Sequence, residues 1–557
     1  MGTTGKNPSW PLRVAVALLP VPAALVAALV CAWRDTDPWW GPWLALGLVV
    51  VAWLLWAKRV SRTIQTWRTR SVAARVGLVV VVAGLVTAPL VGLDRGTSIP
   101  SAGKRVAVVG GGAAGLHSAW LLSRMGANVT VYEASPALGG HASAYPYTDA
   151  AGTTYRVDLG FMFGAPGSYK EMKALLALEG VGRNPTTLGL TGHVDGQWWA
   201  TGMANLDAEV LRFQQLADES CEDPTLNLVP FGAWLWWHGF DDAFRRQYIV
   251  PLMSVLFITD HGLYKISTRF MLKMIAGKSQ WVDFRHDAPA WTVQGSSAAY
   301  YEKLAPDLHA NLRLLNPVTE VRRLPTGHVR VLGRSPQGAT DETYDAVVLA
   351  VHADVARTLL KDSSWLEDFA LGQVRYHSSE VVLHSDHSAF PGGDLLRAYT
   401  YVQDASTGDS FELNSLPVRS QGDAITLDPE PVVTLNPTRT SYPGEVVRRT
   451  WRHHVMDLWH LVIATQVTPH LQGNGNVWYA GDWVQFIGHG QAVKTGLRAA
   501  CGIAGQTPAQ PLPTEPCVDV SLVDATVTLP AERQTMCGEA DVFAYLVQEA
   551  CVNKGVQ

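Results

Sequence analysis

The hydrophobic positions of the chain follow two different patterns, which change at about residue 97. Before that point, three stretches contain no charged residue, at 14–33, 38–57 and 76–93. Each approaches the roughly 20 apolar residues that a helix needs to cross a bilayer, and the third is the shortest. The sequence therefore predicts a membrane region over residues 1–97, with two or three transmembrane helices.

The connector between the second and third apolar stretches is strongly basic. It contains no Asp or Glu and carries Lys or Arg at positions 58, 59, 62, 68, 70 and 75. The positive-inside bias places such a connector in the cytoplasm. Three spans would then put the rest of the chain outside, whereas two spans would return it inside, and both arrangements stay open. Because a cleaved signal peptide has one apolar region, we expect an integral protein of a bacterial-type cytoplasmic membrane.

Beyond residue 97, short strand-like runs alternate with helical segments. The strand-like runs lie at 105–109, 128–132, 312–321, 329–332, 344–351 and 476–480. Residues from about 160 to 310 are helical and aromatic in character, and the alternating runs within 377–437 predict an antiparallel sheet. This order predicts an α/β fold, in which a Rossmann-like domain is interleaved with an α+β substrate domain.

The first strand-like run leads directly into a glycine fingerprint. Gly110 permits the tight turn, and Gly112 lets the backbone approach a pyrophosphate closely. Gly115 lets the helix that follows pack against the strand. The pyrophosphate would lie at the N-terminus of that helix, whose first turn includes Ala114. Glu133, after the second run, is placed to accept hydrogen bonds from the adenosine ribose. Together these residues predict a dinucleotide site.

Two further segments favour FAD over NAD. Gly139 and Gly140, followed by His141, come soon after Glu133, where a glycine pair lets the chain run close to a second phosphate or ribityl group. A nicotinamide domain has no need of this loop. Near the other end, Asp482 precedes a helix whose N-terminus could hold the ribityl-pyrophosphate and the O2 side of a flavin.

These patterns divide the chain into three parts. They are a membrane region at 1–97, a flavoprotein body at 98–506, and a Pro-rich linker with a C-terminal tail at 507–557. Within the body, the FAD segments are about 104–165, 311–360 and 476–506, and the substrate segments are about 166–310 and 361–475.

Composition narrows the function further. The net charge of −5 gives no indication of nucleic-acid binding. The six cysteines lack any C-x-x-C or other zinc-like spacing, so we expect no metal site. Three of them lie in the tail, where they could form a disulfide outside the cytoplasm or stay as free thiols inside it.

Several segments carry a family resemblance. They are Leu138-Gly-Gly-His141, Val157-Asp-Leu-Gly-Phe161, Pro289-Ala-Trp-Thr-Val-Gln-Gly-Ser296, Asp345-Ala-Val-Val-Leu-Ala-Val-His-Ala-Asp354, Val382-Leu-His-Ser-Asp386 and Val433-Thr-Leu-Asn436. Residues from about 104 to 504 resemble the flavin-containing amine-oxidase-like superfamily, which includes phytoene-desaturase-like and fatty-acid isomerase proteins. Within it, the chain is most similar to bacterial FAD-binding proteins found beside cyclopropane fatty acid synthases. The resemblance implies that Val318 clasps the adenine and that Gly481, Asp482 and Ala492 lie along the flavin.

The chain departs from the amine oxidases themselves. Those usually have Gly-Gly-Arg where this sequence has Gly139-Gly140-His141, and Gly-Glu where it has Gly481-Asp482. The departures put amine oxidation in doubt.

His489 is the candidate catalytic residue. It lies between two glycines ahead of the flavin-facing helix, where an imidazole could move a proton near neutral pH. The alternative is that it only hydrogen-bonds the flavin or the backbone. Trp291 and Trp483 are predicted as walls of an apolar substrate pocket, although aromatic residues at such positions are more often part of the core.

We therefore expect a membrane-bound FAD-dependent oxidoreductase or double-bond isomerase. Its substrate would be hydrophobic and lipid-like, with hydride passing between a substrate carbon and the flavin. An amine oxidase is the first alternative. A protein that uses the flavin fold only as a non-catalytic membrane module is the second.

Overall fold

The computed structural model describes residues 103–165, 169–203, 207–257, 262–276, 281–403 and 410–504. The three predicted spans and the predicted tail lie outside these residues. Within the described part of the chain, no helix combines the length and the apolarity that crossing a membrane requires.

The described residues form nineteen strands and fourteen α-helices. The strands are β1 (Arg105–Val109), β2 (Asn128–Tyr132), β3 (Ala144–Thr148), β4 (Thr154–Asp158), β5 (Arg183–Leu188), β6 (Leu190–Val194), β7 (Gln197–Ala200), β8 (Ala288–Val293), β9 (Asn311–Arg313), β10 (Val318–Arg323), β11 (Val329–Ser335), β12 (Gly338–Tyr344), β13 (Ala346–Leu349), β14 (Tyr376–His384), β15 (Tyr399–Gln403), β16 (Phe411–Ser415), β17 (Val432–Leu435), β18 (Val447–His454) and β19 (Val477–Tyr479). The helices are α1 (Ala113–Arg124), α2 (Lys170–Leu178), α3 (Ala208–Ser220), α4 (Phe231–Trp237), α5 (Asp242–Phe244), α6 (Val250–Phe257), α7 (Thr268–Ile275), α8 (Ser297–Asp307), α9 (Ala353–Leu359), α10 (Trp365–Gln373), α11 (Pro417–Ser420), α12 (Leu458–Val462), α13 (Thr468–Leu471) and α14 (His489–Ile503).

A parallel sheet in the order β19-β13-β1-β2-β9 forms the centre of the cofactor half. Its strands are short apolar runs such as 105–109, which is typical of a sheet covered on both faces. Helices α1 and α14 pack on one face around the fully buried Trp120. The sheet draws on three distant parts of the chain, which confirms the predicted α/β fold.

Two of the predicted strand-like runs are each divided in the structure. The run at 344–351 separates into β12, which ends an antiparallel meander, and β13, which joins the parallel sheet. Asp345 lies at the junction, where its Oδ2 accepts from the N–H of Arg105 at 2.7 Å. The run at 312–321 separates into β9 and β10 because Leu315 adopts a positive φ of 52°.

The substrate half is built on a seven-stranded sheet in the order β18-β14-β17-β16-β15-β6-β7. All neighbours are antiparallel except β15 and β6, which are parallel. The antiparallel pairing of β14, β16 and β17 agrees with the alternating pattern at 377–437. The sequence did not predict β6 and β7, because they lie inside the region that was expected to be helical.

The aromatic region at 231–257 contributes mainly to the core beneath this sheet. Trp234 and Phe240 are buried there, as expected for aromatic residues at helical spacing. Trp236 and Trp237 instead lie at the surface, with 48% and 77% of their area exposed.

Candidate active site

The first glycine loop joins β1 to α1 and has no space for side chains. Gly110 has a φ of +107°, and a Cβ there would lie 2.3 Å from the carbonyl oxygen of Ala350. A Cβ on Gly115 would lie 1.9 Å from the carbonyl oxygen of Gly110. The tight turn and the close seating of α1 therefore both require glycine. Ala114 is buried, and its carbonyl oxygen accepts from the Ser118 hydroxyl.

The second glycine loop lies directly against the first. The N–H of Gly139 donates to the carbonyl oxygen of Gly111 at 2.9 Å. A Cβ on Gly140 would come within 3.2 Å of the Cα of Gly112. The two loops thus meet backbone to backbone at the N-terminus of α1, where backbone N–H groups and the helix dipole favour a pyrophosphate.

Glu133 accepts hydrogen bonds from backbone N–H groups at the predicted adenosine end of the site. Its Oε2 accepts from the N–H of Gly111 at 2.7 Å, and its Oε1 accepts from the N–H of Ser135 at 2.7 Å. The N–H of Asn316 donates to the carbonyl oxygen of Glu133 at 2.9 Å, which brings the start of β10 at Val318 to the same end of the sheet. The structure thus places Glu133 and Val318 at the same end of the sheet, and their contacts with the ribose and the adenine stay predictions.

The third cofactor segment follows β19. Gly481 has a φ of +145°, and its N–H donates to the Thr495 hydroxyl of α14 at 3.0 Å. This bond positions Asp482 beside the N-terminal turn of α14, which contains Ala492. Burial alone would raise the pKa of the Asp482 carboxyl. The neighbouring His454, whose Nδ1 lies 3.5 Å from the carboxylate, outweighs burial and holds this pKa well below its usual value.

His141 lies among aromatic rings at the junction of the two halves. Its ring centroid is 4.8 Å from that of Trp451, 5.1 Å from that of His453 and 6.1 Å from that of His352. Burial lowers the pKa of His141, and its Nε2 is buried without a hydrogen-bond partner. A buried polar atom of this kind is normally satisfied, so an orphan beside two glycine loops fits a bound FAD.

His489 begins α14 and is held in an aromatic cluster. Its ring stacks on Phe161 with centroids 4.3 Å apart, and its Nε2 is hydrogen-bonded to the hydroxyl of Tyr300 at 2.5 Å. Burial, together with the neighbouring His117 and His141, lowers the pKa of His489 to about 3. A neutral, hydrogen-bonded imidazole favours a positioning role for His489. The predicted transfer of a proton by His489 near neutral pH stays a prediction.

The two tryptophans predicted as pocket walls are core residues. Trp483 is 1% exposed, and its indole N–H donates to the carbonyl oxygen of Val351 at 2.9 Å. The prediction for Trp483 is therefore corrected, because this ring packs behind the parallel sheet. Trp291 is 5% exposed, and its N–H donates to the carbonyl oxygen of Ala165 at 3.1 Å. Trp291 supports the site from behind Phe161 and Tyr169 rather than forming an open wall.

From the sequence, no function is assigned to His352, His453 or His454. The structure brings His352 and His453 near Asp482 and His141, where burial lowers the pKa of His352 to about 4 and that of His453 to about 3. Nδ1 of His454 lies 3.5 Å from Asp482.

Comparison with known proteins agrees with this geometry. Residues 113–382 match the family described as flavin containing amine oxidoreductase. Over these residues, which make up just under half of the chain, the match supports an FAD-dependent, amine-oxidase-like superfamily. The family description implies the activity of an oxidoreductase, with FAD as its cofactor.

Similar folds occur among solved structures. A CLA-producing fatty acid isomerase from P. acnes is 17% identical, with 72% of this chain and 98% of that chain covered and a TM-score of 0.53. Cyclohexylamine oxidase from Brevibacterium oxydans IH-35A is 15% identical, with 72% and 99% covered and a TM-score of 0.51. At such low identity these likenesses establish the fold alone.

A carotenoid phi-ring synthase from Streptomyces griseus is 50% identical over 56 residues. The match takes in 10% of this chain and 11% of that protein, so the chain spans about a tenth of the length of this curated relative.

Proposed function

We propose that the protein oxidises or isomerises a hydrophobic, lipid-like substrate at a membrane, with FAD as the hydride acceptor or donor. The observation that carries this proposal is the junction between the two halves. There, Trp451 and Phe161 lie beside imidazoles that burial keeps neutral, such as those of His141 and His453. Such a lining suits an apolar molecule better than a charged one.

Each part of the chain has a distinct task in this proposal. The glycine loops and the N-terminus of α1 bind the pyrophosphate, and Glu133 holds the adenosine. Asp482 stays ionised and accepts hydrogen bonds at the ribityl end. When bound, FAD supplies the hydride chemistry, while the surrounding rings exclude water and orient the substrate carbon. The predicted membrane region at 1–97 would bring this site to the phase in which lipids dissolve.

The relatives support the same substrate class. One relative is named for a carotenoid ring and another for a fatty acid, and both substrates are long and apolar. An amine oxidase is the second candidate, because the family description and a cyclohexylamine oxidase favour amines. The replacement of Gly-Gly-Arg by Gly139-Gly140-His141 speaks against it.

Anaerobic incubation of the purified full-length flavoprotein tests the two candidates. Bacterial lipid extract and a panel of primary amines are added separately, flavin absorbance is followed, and products are analysed by mass spectrometry. We expect the lipid extract either to bleach the flavin or to yield a double-bond isomer without bleaching. Bleaching by amines alone, with no altered lipid, would contradict the proposal. Fractionation of cell membranes, with and without residues 1–97, tests the predicted membrane attachment.

A further inference from the structure

The strands β14 and β18 present one partly buried face, which carries both polar and apolar residues, to the cofactor half. Trp451 and His453 lie two residues apart on β18, so their side chains share a face. Ser379 on β14 pairs directly with Trp451 and therefore shares that face too. The face is turned toward His141, whose ring lies against those of Trp451 and His453.

Two polar atoms of this face are buried without a hydrogen-bond partner. They are the hydroxyl oxygen of Ser379, a residue only 3% exposed, and Nδ1 of His453. An unpaired buried polar group destabilises the folded state, so proteins rarely retain such groups without a use. By contrast, both ring nitrogens of His384, on the same β14 strand, are bonded, to the Thr434 hydroxyl at 2.7 Å and the N–H of Asp386 at 3.0 Å.

The two orphan atoms belong to the substrate sheet rather than to a cofactor segment. A neutral imidazole offers one donor and one acceptor, and a serine hydroxyl offers both. Burial, reinforced by neighbouring histidines, lowers the pKa of His453 to about 3, so the ring supplies no positive charge for a carboxylate. The matching ligand group is an uncharged oxygen, either a hydroxyl or a carbonyl.

We propose that His453 and Ser379 form a binding site for a hydroxyl or carbonyl oxygen on an otherwise apolar substrate. The inference rests on the proposed lipid-like substrate and adds the group that the enzyme recognises. His453 would contact the substrate directly, while Trp451 holds the apolar chain beside it. An oxygen bound here lies next to the FAD loop at His141, which fixes the reacting carbon relative to the cofactor.

Ligand binding to the purified, flavin-loaded full-length chain tests this site. Oleyl alcohol, 1-octadecene and oleate are titrated separately, and the shift of the flavin absorbance spectrum gives each dissociation constant. We expect oleyl alcohol to bind about tenfold more tightly than 1-octadecene, which is the effect of one hydrogen bond. His453→Phe should bring the two constants to within about twofold, His453→Gln should restore most of the difference, and Ser379→Ala should reduce it.

Stability separates this role from a structural one. Removing an unpaired buried atom is neutral or stabilising, so His453→Phe should unfold at the same temperature as the wild type or higher. His384→Phe, which removes a fully bonded imidazole, should unfold at a lower temperature and keep the preference for the alcohol.

Four results would overturn the assignment. They are a preference for the alcohol that survives in His453→Phe, tighter binding of oleate than of oleyl alcohol, loss of flavin from His453→Phe, and no spectral response to the alcohol. If lipids are converted but the preference survives in His453→Phe, only this inference fails. If amines alone react, the proposed function fails with it.

Discussion

The contact between α1 and α14 gives a sharp test of how the cofactor site is held together. Both helices have their N-termini at the site, and they cross with almost no space between their backbones. A Cβ on Gly496 would lie 2.2 Å from the carbonyl oxygen and 3.0 Å from the carbonyl carbon of Ala114. The Ser118 hydroxyl adds a bridge, since it donates to the carbonyl oxygen of Gly496 at 2.8 Å.

The substitution Gly496→Ala sets two effects against each other. Alanine is favoured over glycine within a helix by about 1 kcal/mol. However, the new methyl group meets backbone atoms that cannot rotate away. The two helices must separate by roughly 1 Å to relieve the clash, and this overpacking destabilises the fold by about 3 kcal/mol. We therefore expect a net loss of about 2 kcal/mol, with a midpoint of thermal unfolding lowered by roughly 2–4 °C and weaker retention of FAD.

The assay is the temperature at which bound flavin becomes fluorescent on release, measured for the full-length protein. Gly372→Ala in α10 is the matched control, because its Cβ would meet only the flexible end of Arg357, at 3.0 Å. That variant should be as stable as the wild type or slightly more so. Equal flavin release from Gly496→Ala and the wild type would refute the packing argument.

Four further outcomes are expected. Glu133→Gln should weaken FAD binding by roughly 10- to 100-fold, since hydrogen bonds to a charged group contribute about 1.5–3 kcal/mol; titration of apoprotein with FAD measures this, and unchanged affinity would remove the ribose role. Trp483→Phe should lower stability by about 1–3 kcal/mol through its lost indole hydrogen bond and leave substrate preference unchanged; altered preference at unchanged stability would restore its predicted pocket role. His489→Gln should keep FAD, turnover and the pH profile of turnover, whereas a lost or shifted profile would support proton transfer by the imidazole. Burial lowers the pKa of His352 to about 4 and that of His460 to about 3. Below pH 6.5 the unfolded chain therefore binds protons that the folded chain does not, and the stability of the fold should fall from about pH 6.5 toward pH 4. A melting temperature that stays constant over that range would contradict the burial of these rings.

The cofactor fold was predictable because its determinants are local. The glycines at 110, 112 and 115 and the acid at 133 each have a backbone reason to be present, and the structure places them together at one end of the sheet. The strand runs also followed from short apolar patterns, although the breaks at Leu315 and Asp345 depend on backbone contacts that no local pattern encodes.

The active-site side chains were less predictable because their roles depend on tertiary contacts. His489 has the sequence setting of a proton carrier, but Phe161 and Tyr300 come from distant segments and enclose it. Trp483 likewise follows a cofactor motif, and only the fold shows that its ring turns toward Val351. Conversely, His453 and Ser379 gain significance only once β14 and β18 pair.

The parallel sheet also constrains the order in which the protein can mature. Its edge strand β19 begins at Val477, whereas β1 begins at Arg105, and β13 pairs with both strands. During synthesis the sheet stays incomplete until more than half of the chain has followed β1, and its open edge is prone to wrong pairing in that time. Flavin cannot be fully enclosed until α14 has been made. If residues 1–97 enter a membrane as predicted, the chain would be anchored before FAD binds. The parallel sheet would then be completed by β19 while the chain is already attached to the membrane.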